Sequence, residues 1–254
     1  MNRLYLLFAI IFLSSSWSEA KVPFGKLAFP FINTPYVAST LEQCGDEKLI
    51  INTKEVDCTT FVEYLTASVL LDQPAKGSDT MFRNQVQALR YRNGIIDGYL
   101  SRLHYFSEWI EDNEKKGLIR EITDSIGGIP FVKTIEFMSA HADLYQALKQ
   151  QPELVDSIRV TEQHLSRLQT TFIPKEEVRK TESKIRKGDI IAITTSIKGL
   201  DVVHVGFAWP QNGRLHLLHA SSTAKKVLID PLPLAEYLEK NRTATGIRVL
   251  RIRE

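Results

Sequence analysis

Three side chains have the types and settings for nucleophilic chemistry: Cys58 in DCTTFVEY (57–64), His204 in VVHVGFAW (202–209) and His219 in RLHLLHASS (214–222). A thiol becomes a strong nucleophile once an imidazole takes its proton. A second polar group on the far ring nitrogen then holds that imidazole in the useful tautomer. Cys58 follows Asp57, a good helix N-cap, so the thiol is expected where unpaired amides and the helix dipole favour the thiolate. A lone cysteine is more often a buried apolar residue. Two histidines on neighbouring strands set this one apart. In that arrangement Cys58 is the nucleophile, His204 the base and His219 the orienting group, with the Cys58 amide as one oxyanion donor.

The elements that must hold these groups can be read from hydrophobic period. Cys58, Phe61, Val62, Leu65 and Val69 fall at helical spacing and predict a helix over Cys58–Leu71. Further helices are expected at Met81–Arg92, Tyr99–Glu114, Lys133–His141 and Leu154–Leu168. After Lys187-Gly188 the period becomes two, predicting strands at Ile190–Ser196, Val202–Trp209, Arg214–Ala220, Lys226–Ile229 and Gly246–Ile252, with a short helix at Leu234–Lys240. Helices first and a mostly antiparallel sheet second make an α+β protein. Strict alternation puts His204 on a face with Val202, Gly206 and Ala208. A turn centred on Gln211-Asn212 sets His219 opposite His204, and one on Asn212-Gly213 sets it on the diagonal. A slip of one residue substitutes His216.

Other residues carry weaker signals. Cys58, His204 and His219 are zinc ligands by type, but no C-x-x-C or H-E-x-x-H spacing accompanies them, so neither metal nor cofactor is expected. A Cys44–Cys58 disulfide would abolish the nucleophile. His141 and His164 sit in polar helical settings and are expected at the surface. His104 lies in SRLHYFSEWI (101–110), where Arg102, Tyr105, Phe106 and Trp109 form a stripe at helical spacing, more often core than cleft.

The chain has 254 residues, 43% hydrophobic and 24% charged, with net charge +2 and a pI near 8.4. That is an ordinary globular composition, without the basic stripe of a nucleic-acid binder. Residues 1–20 read as an export signal: Arg3, the apolar run Leu4–Leu13 and Ser18-Glu19-Ala20 at the cleavage positions. The run is too short to span a bilayer, and an uncleaved anchor is the alternative. Removal after Ala20 would leave an exported protein free of the membrane. Its residues 21–254 are expected to form one domain, mostly helical between about 75 and 180. Oligomeric state is not legible.

The order of motifs resembles the NlpC/P60 superfamily, and most closely its branch of N-acetylmuramoyl-L-alanine-amidase-like proteins. The likeness rests on NTPYVASTLE (33–42), DCTTFVEY, ALRYRNG…SRLHYFSEWI, KGDIIAI, GLDVVHVGFAW and LHLLHASS. It implies a papain-like core with a helical insertion, and hydrolysis of an amide bond in peptidoglycan or muropeptides. Cys58, His204 and His219 inherit the catalytic roles, and Tyr36 matches the aromatic residue that precedes the nucleophile. Arg102, His104, Tyr105 and Trp109 become candidates to grip a muropeptide carboxylate and sugar face. The chain departs from the superfamily in having Thr59-Thr60 where Ser-Gly is usual, in lacking paired glycines after Tyr36, and in lacking a preceding wall-binding module. Two bonds remain open: that between N-acetylmuramic acid and L-alanine, and that between D-glutamate and the diamino acid. A catalytically idle envelope protein that binds muropeptides is the reading of a different class.

Overall fold

The computed structural model describes residues 21–42 and 45–253. The expected signal segment and Cys44, the other half of the alternative disulfide, lie outside them. The helices are α1 (Phe24–Ala28), α2 (Cys58–Leu70), α3 (Thr80–Arg90), α4 (Phe106–Lys115), α5 (Phe137–Ala140), α6 (Gln146–Gln150), α7 (Leu154–Arg167), α8 (Lys175–Thr181) and α9 (Leu234–Lys240). The strands are β1 (Ile119–Glu121), β2 (Ile129–Phe131), β3 (Thr170–Pro174), β4 (Ile190–Thr195), β5 (Val202–Gln211), β6 (Arg214–Ser221), β7 (Lys226–Pro233) and β8 (Ala244–Ile252). Among the described residues, no helix is long and apolar enough to cross a membrane.

The fold is α+β, built on one antiparallel sheet. Its order is β2-β3-β8-β4-β5-β6-β7, with β1 pairing the end of β8. Strand β4 (IIAITT) is β-branched and buried along its whole length, as a central strand covered on both faces must be. On one face Val205, Phe207 and Trp209 pack with Phe61, Val62 and Leu65 of α2. On the other, Ile191, Ile193, Ala208 and Leu217 pack with Val178 of α8 and Leu234 and Leu238 of α9. Helix α2 is buried all round from Thr60 to Ser68, which fits a central helix with the sheet on one flank and α3 on the other. On that second flank Glu63 pairs with Arg90 of α3 at 2.6 Å, both buried.

The middle of the chain differs from expectation. Tyr99–Glu114 is not one helix. A short 3-10 turn at Tyr99–Ser101 is followed by extended chain, and α4 begins only at Phe106. The extended residues are claimed elsewhere: Arg102 bridges Tyr91, and the Leu103 amide donates to the Arg90 carbonyl. Within Lys133–His141 only Phe137–Ala140 is helical. The same segment supplies β1, β2 and β3, and β1 and β3 pair directly with β8. With three residues in each of β1 and β2, no alternation of period two can show.

Candidate active site

Cys58 is the first residue of α2, and its local geometry is set by a capping box. The Asp57 carboxylate accepts from the Thr60 amide at 2.8 Å, and the Asp57 amide donates to the Thr60 hydroxyl at 2.9 Å. Thr60, one of the two residues that depart from Ser-Gly, therefore closes the cap. The chain just before the cap is fixed by Tyr36, which bridges Val56, while the Val56 amide donates to the Pro35 carbonyl at 3.0 Å. Tyr36 is half-buried against the same core as Cys58. Burial, then Cys58 and Asp57, push its phenol above the usual range.

The two histidines meet through the hairpin. Pairing runs from Gln211↔Arg214 to Phe207↔Leu218, so the turn is Asn212-Gly213 and His219 lies diagonally from His204. His204 Nε2 and His219 Nδ1 are 2.6 Å apart, with the rings nearly perpendicular at 84°. Strict alternation, however, fails beside His204. Ile193 pairs with His204 and Thr194 with Val202, leaving Val203 as an extra residue. Such a bulge turns neighbouring side chains to one side. Val202 accordingly packs with the α2-side core and Val203 with the opposite core, so His204 no longer shares a face with Val202. His216 points away from His219 and its Nδ1 meets the Asp230 carbonyl at 2.9 Å.

Val203 and His204 stand between two cavities. One, of about 310 Å³, contains Asp57, Cys58, Thr59, Arg102, His104 and Trp109. The other, of about 620 Å³, contains His219, Ser222, Asp230, Tyr237 and Lys240. The Cys58 thiol takes a backbone hydrogen bond from Val205, the residue after His204. Nucleophile and base candidates thus sit at the junction, Cys58 from the helix and His204 from the bulged strand.

The protonation states correct one expectation. Burial, reinforced by Asp57, pushes the Cys58 thiol up to about 11, and hydrogen bonds from Val205 and Thr59 offset only part of this. Burial, reinforced by His219, pushes His204 down to about 3, against a smaller upward pull from Asp230. The expected low-pKa thiolate at the helix start is therefore not the resting state. The capping carboxylate that orders the helix also opposes a second negative charge beside it. A neutral thiol and a neutral imidazole line the same cavity.

The cleft-wall candidates have mixed fates. Arg102, His104, Tyr105 and Trp109 all line the Cys58 cavity, although they do not share a continuous helix. Arg102 is bound by Glu42 at 2.8 Å and Glu47 at 3.2 Å and covers Tyr99, so its charge is already compensated. His104 is held by the Tyr99 carbonyl at 2.8 Å, and burial, then Arg102, keep its imidazole neutral. Tyr105 is buried, donating to Glu162 at 2.7 Å and accepting from the Met138 amide at 2.8 Å. Trp109 is stacked on Phe106 at 4.8 Å, and its ring N–H has no hydrogen-bond partner among the described residues. His141 and His164 are exposed.

Two neighbours of His219 escaped the sequence reading. Asp230 approaches His219 Nε2 at 3.4 Å, and the Tyr237 ring packs edge-on against His219 at 5.5 Å. The signal for Asp230 was DPLP (230–233), because proline inside a strand marks a bulge. Here Asp230, Pro231 and Leu232 lie between the pairs Leu218↔Ile229 and His216↔Pro233. Among the described residues, no group of three or more His, Cys, Asp or Glu is arranged to hold a metal ion.

Fold and site together define an α+β protein with a thiol at a helix start and a bonded imidazole pair on the adjoining hairpin. The chain belongs to the N-acetylmuramoyl-L-alanine amidase-like family, which it matches over residues 26–247. It is 41% identical to an N-acetylmuramoyl-L-alanine amidase from Bacteroides uniformis, over 91% of this chain and 99% of that one, with a TM-score of 0.85. It is 42% identical to a putative xylanase from Bacteroides fragilis, over 89% and 100% of the two chains, with a TM-score of 0.84. A Legionella pneumophila protein, 23% identical over 91% of this chain and 88% of that one, shares the fold at a TM-score of 0.65. Among curated proteins, none matches.

Proposed function

We propose that this protein is a cysteine amidase that hydrolyses the amide between N-acetylmuramic acid and L-alanine in peptidoglycan or muropeptides. The observation that carries the reading is the junction itself. Cys58 and His204 line one cavity, and His219 lies 2.6 Å behind His204. The choice of bond rests on the activity named for the Bacteroides uniformis relative. The name borne by the Bacteroides fragilis relative suits this cleft less well. Glycoside hydrolysis needs two carboxyl groups free to act on the sugar. Of the cleft's carboxylates, Asp57 caps α2, Glu63 pairs with Arg90, Glu42 pairs with Arg102, and Asp201 accepts from the Ser107 amide.

In the proposed reaction His204 takes the thiol proton as Sγ attacks the amide carbonyl. The Cys58 amide helps to hold the oxyanion. His204 then returns the proton to the L-alanine nitrogen, the C–N bond breaks and a thioester remains. A water molecule, deprotonated by His204, releases the acid and restores the thiol. A thiol pushed up and an imidazole pushed down make this transfer unfavourable in an empty cleft, so bound substrate must supply the driving force. The papain-like core of NlpC/P60 proteins is part of this proposal, as is export, which rests on residues 1–20.

Mass spectrometry of defined muropeptides after incubation with the protein tests the reading. The expected products are a free stem peptide beginning with L-alanine and a glycan ending in free muramic acid. Cuts within the stem would move the bond to D-glutamate and the diamino acid. Binding without products would make the protein an idle muropeptide receptor.

A further inference from the structure

We infer that Asp230 is a positioning residue that sets the tautomer of both histidines and so leaves a basic nitrogen on His204 for the Cys58 proton. This rests on the cysteine amidase reading above. A bulge in β7 lifts Asp230, Pro231 and Leu232 out of the ladder with β6. One carboxylate oxygen of Asp230 accepts from the Leu232 amide at 2.9 Å. The other faces His219 Nε2 at the ion-pair distance of 3.4 Å, and that nitrogen is buried without a hydrogen-bond partner among the described residues, which leaves Asp230 as the group it answers to. A carboxylate accepts and does not donate, so it fixes the proton on His219 Nε2. His219 Nδ1 is then an acceptor and must receive the Nε2 proton of His204 across 2.6 Å. The remaining nitrogen of His204, Nδ1, is left unprotonated. Three links in series thus decide which nitrogen can act as base.

The charged and titratable groups around the chain are few. Tyr237 of α9 packs on His219, Lys240 lines the same cavity, His216 meets the Asp230 carbonyl, and Cys58 of α2 is near enough to raise the Tyr237 phenol after burial and Asp230. Burial alone would raise the Asp230 carboxyl, but the bonds from His219 and Leu232 outweigh it and hold it below the usual range. It remains an anion where the enzyme works.

The Leu232 contact gives the test its edge. In Asp230→Asn the amide oxygen stays on the Leu232 N–H, and the amide nitrogen, a donor, faces His219. Both histidines must then adopt the opposite tautomers, placing a proton on His204 Nδ1. Asp230→Ala removes the constraint without reversing it. The isosteric Asn variant should therefore be worse than the Ala variant. Expected losses in kcat are about 100-fold or more for Asn and roughly tenfold for Ala, with KM little changed, on the scale of other wrong-tautomer and orienting-group substitutions. The acid limb of kcat/KM should also move to lower pH in both, because the anion that favours protonated His204 is gone. Purified full-length protein acting on a defined muropeptide supplies both readouts, with melting curves as a check on folding. A merely structural Asp230 predicts the reverse order, Asn milder than Ala, and an unmoved limb; that result overturns the inference. The companion variant Cys58→Ala separates the two layers: if it still hydrolyses substrate, the cysteine amidase reading has failed, not Asp230 alone.

Discussion

At the scale of single residues, the site is built from opposing pressures on one proton. Burial and Asp57 hold the Cys58 thiol at about 11, and burial and His219 hold His204 at about 3. Alkylation by iodoacetamide should therefore be slow at pH 7, where on the order of one thiol in ten thousand is ionised, and should rise about tenfold per pH unit toward 11. A plateau already reached at pH 7 would show that the thiolate is the resting form. His204→Ala should leave alkylation at pH 7 nearly unchanged while abolishing turnover, since a resting imidazole without a proton provides no counter-charge. The same shift has a linkage consequence. The folded thiol holds its proton between about 9 and 11 while the unfolded thiol has lost it, so this contribution to stability is present below 9.0 and vanishes as pH rises through 11. Cys58→Ala should flatten that part of the alkaline stability curve. That Cys58 starts a helix and that His204 meets His219 was legible in sequence, because a cap and a period of two each leave local marks. Asp230 was not, because its reach depends on how many residues a bulge ejects.

At the scale of elements, the β5–β6 hairpin brings the two histidines together. Asn212-Gly213 both take positive φ, as a tight hairpin turn requires, and this fixes the diagonal register. His219→Ala should cost turnover about 10- to 100-fold, whereas His216→Ala should keep most of it, because His216 lies on the other face of β6. Measured melting curves are needed beside the rates, since both side chains are buried. Gly206 adds a steric condition. A Cβ there would lie 2.7 Å from the Leu218 carbonyl oxygen and 2.9 Å from His219 Cβ. Gly206→Ala must therefore shift β6 or the His219 side chain. It should lose activity well beyond what its melting temperature suggests, and equal activity to the parent would mean that the 2.6 Å contact between the histidines is dispensable. Much of this hairpin was readable: β4, β5 and β6 begin where the alternation began, and α9 spans Leu234–Lys240 as predicted. The bulge at Val203 was not, because one extra residue among VVHV leaves the composition unchanged. Nor was the break at Tyr99–Tyr105, where backbone partners on Tyr91 and Arg90 override a helical stripe.

At the scale of the whole molecule, the segment between 75 and 180 is woven into the fold. Strands β1 and β3 occupy the edge of β8 that would otherwise be bare. Buried Arg248 of β8 reaches Glu121 at 2.7 Å and the Ser107 hydroxyl at 2.9 Å, and Asp201, just before β5, accepts from the Ser107 amide at 2.7 Å. Phe82, Val86 and Leu89 of α3, and Phe106, Trp109 and Ile110 of α4, belong to the same hydrophobic cluster as α2. Hydropathy alone describes this region as a mostly helical segment between the Cys58 helix and the sheet, because short strands and long-range ion pairs have no local period. Replacing residues 80–180 by a short flexible linker should therefore leave a chain without a cooperative urea transition and readily digested by protease. Eight buried apolar side chains of the central cluster, these six with Leu103 and Ile119, would be lost, at about 1.5–3 kcal/mol of burial each, against a total stability of about 5–15 kcal/mol for a domain. A shortened chain that still unfolds cooperatively and resists protease would mean that the sheet and α2 hold together alone. The wall of the cleft carrying Arg102, His104 and Trp109 would then be an appendage, free to vary without the fold.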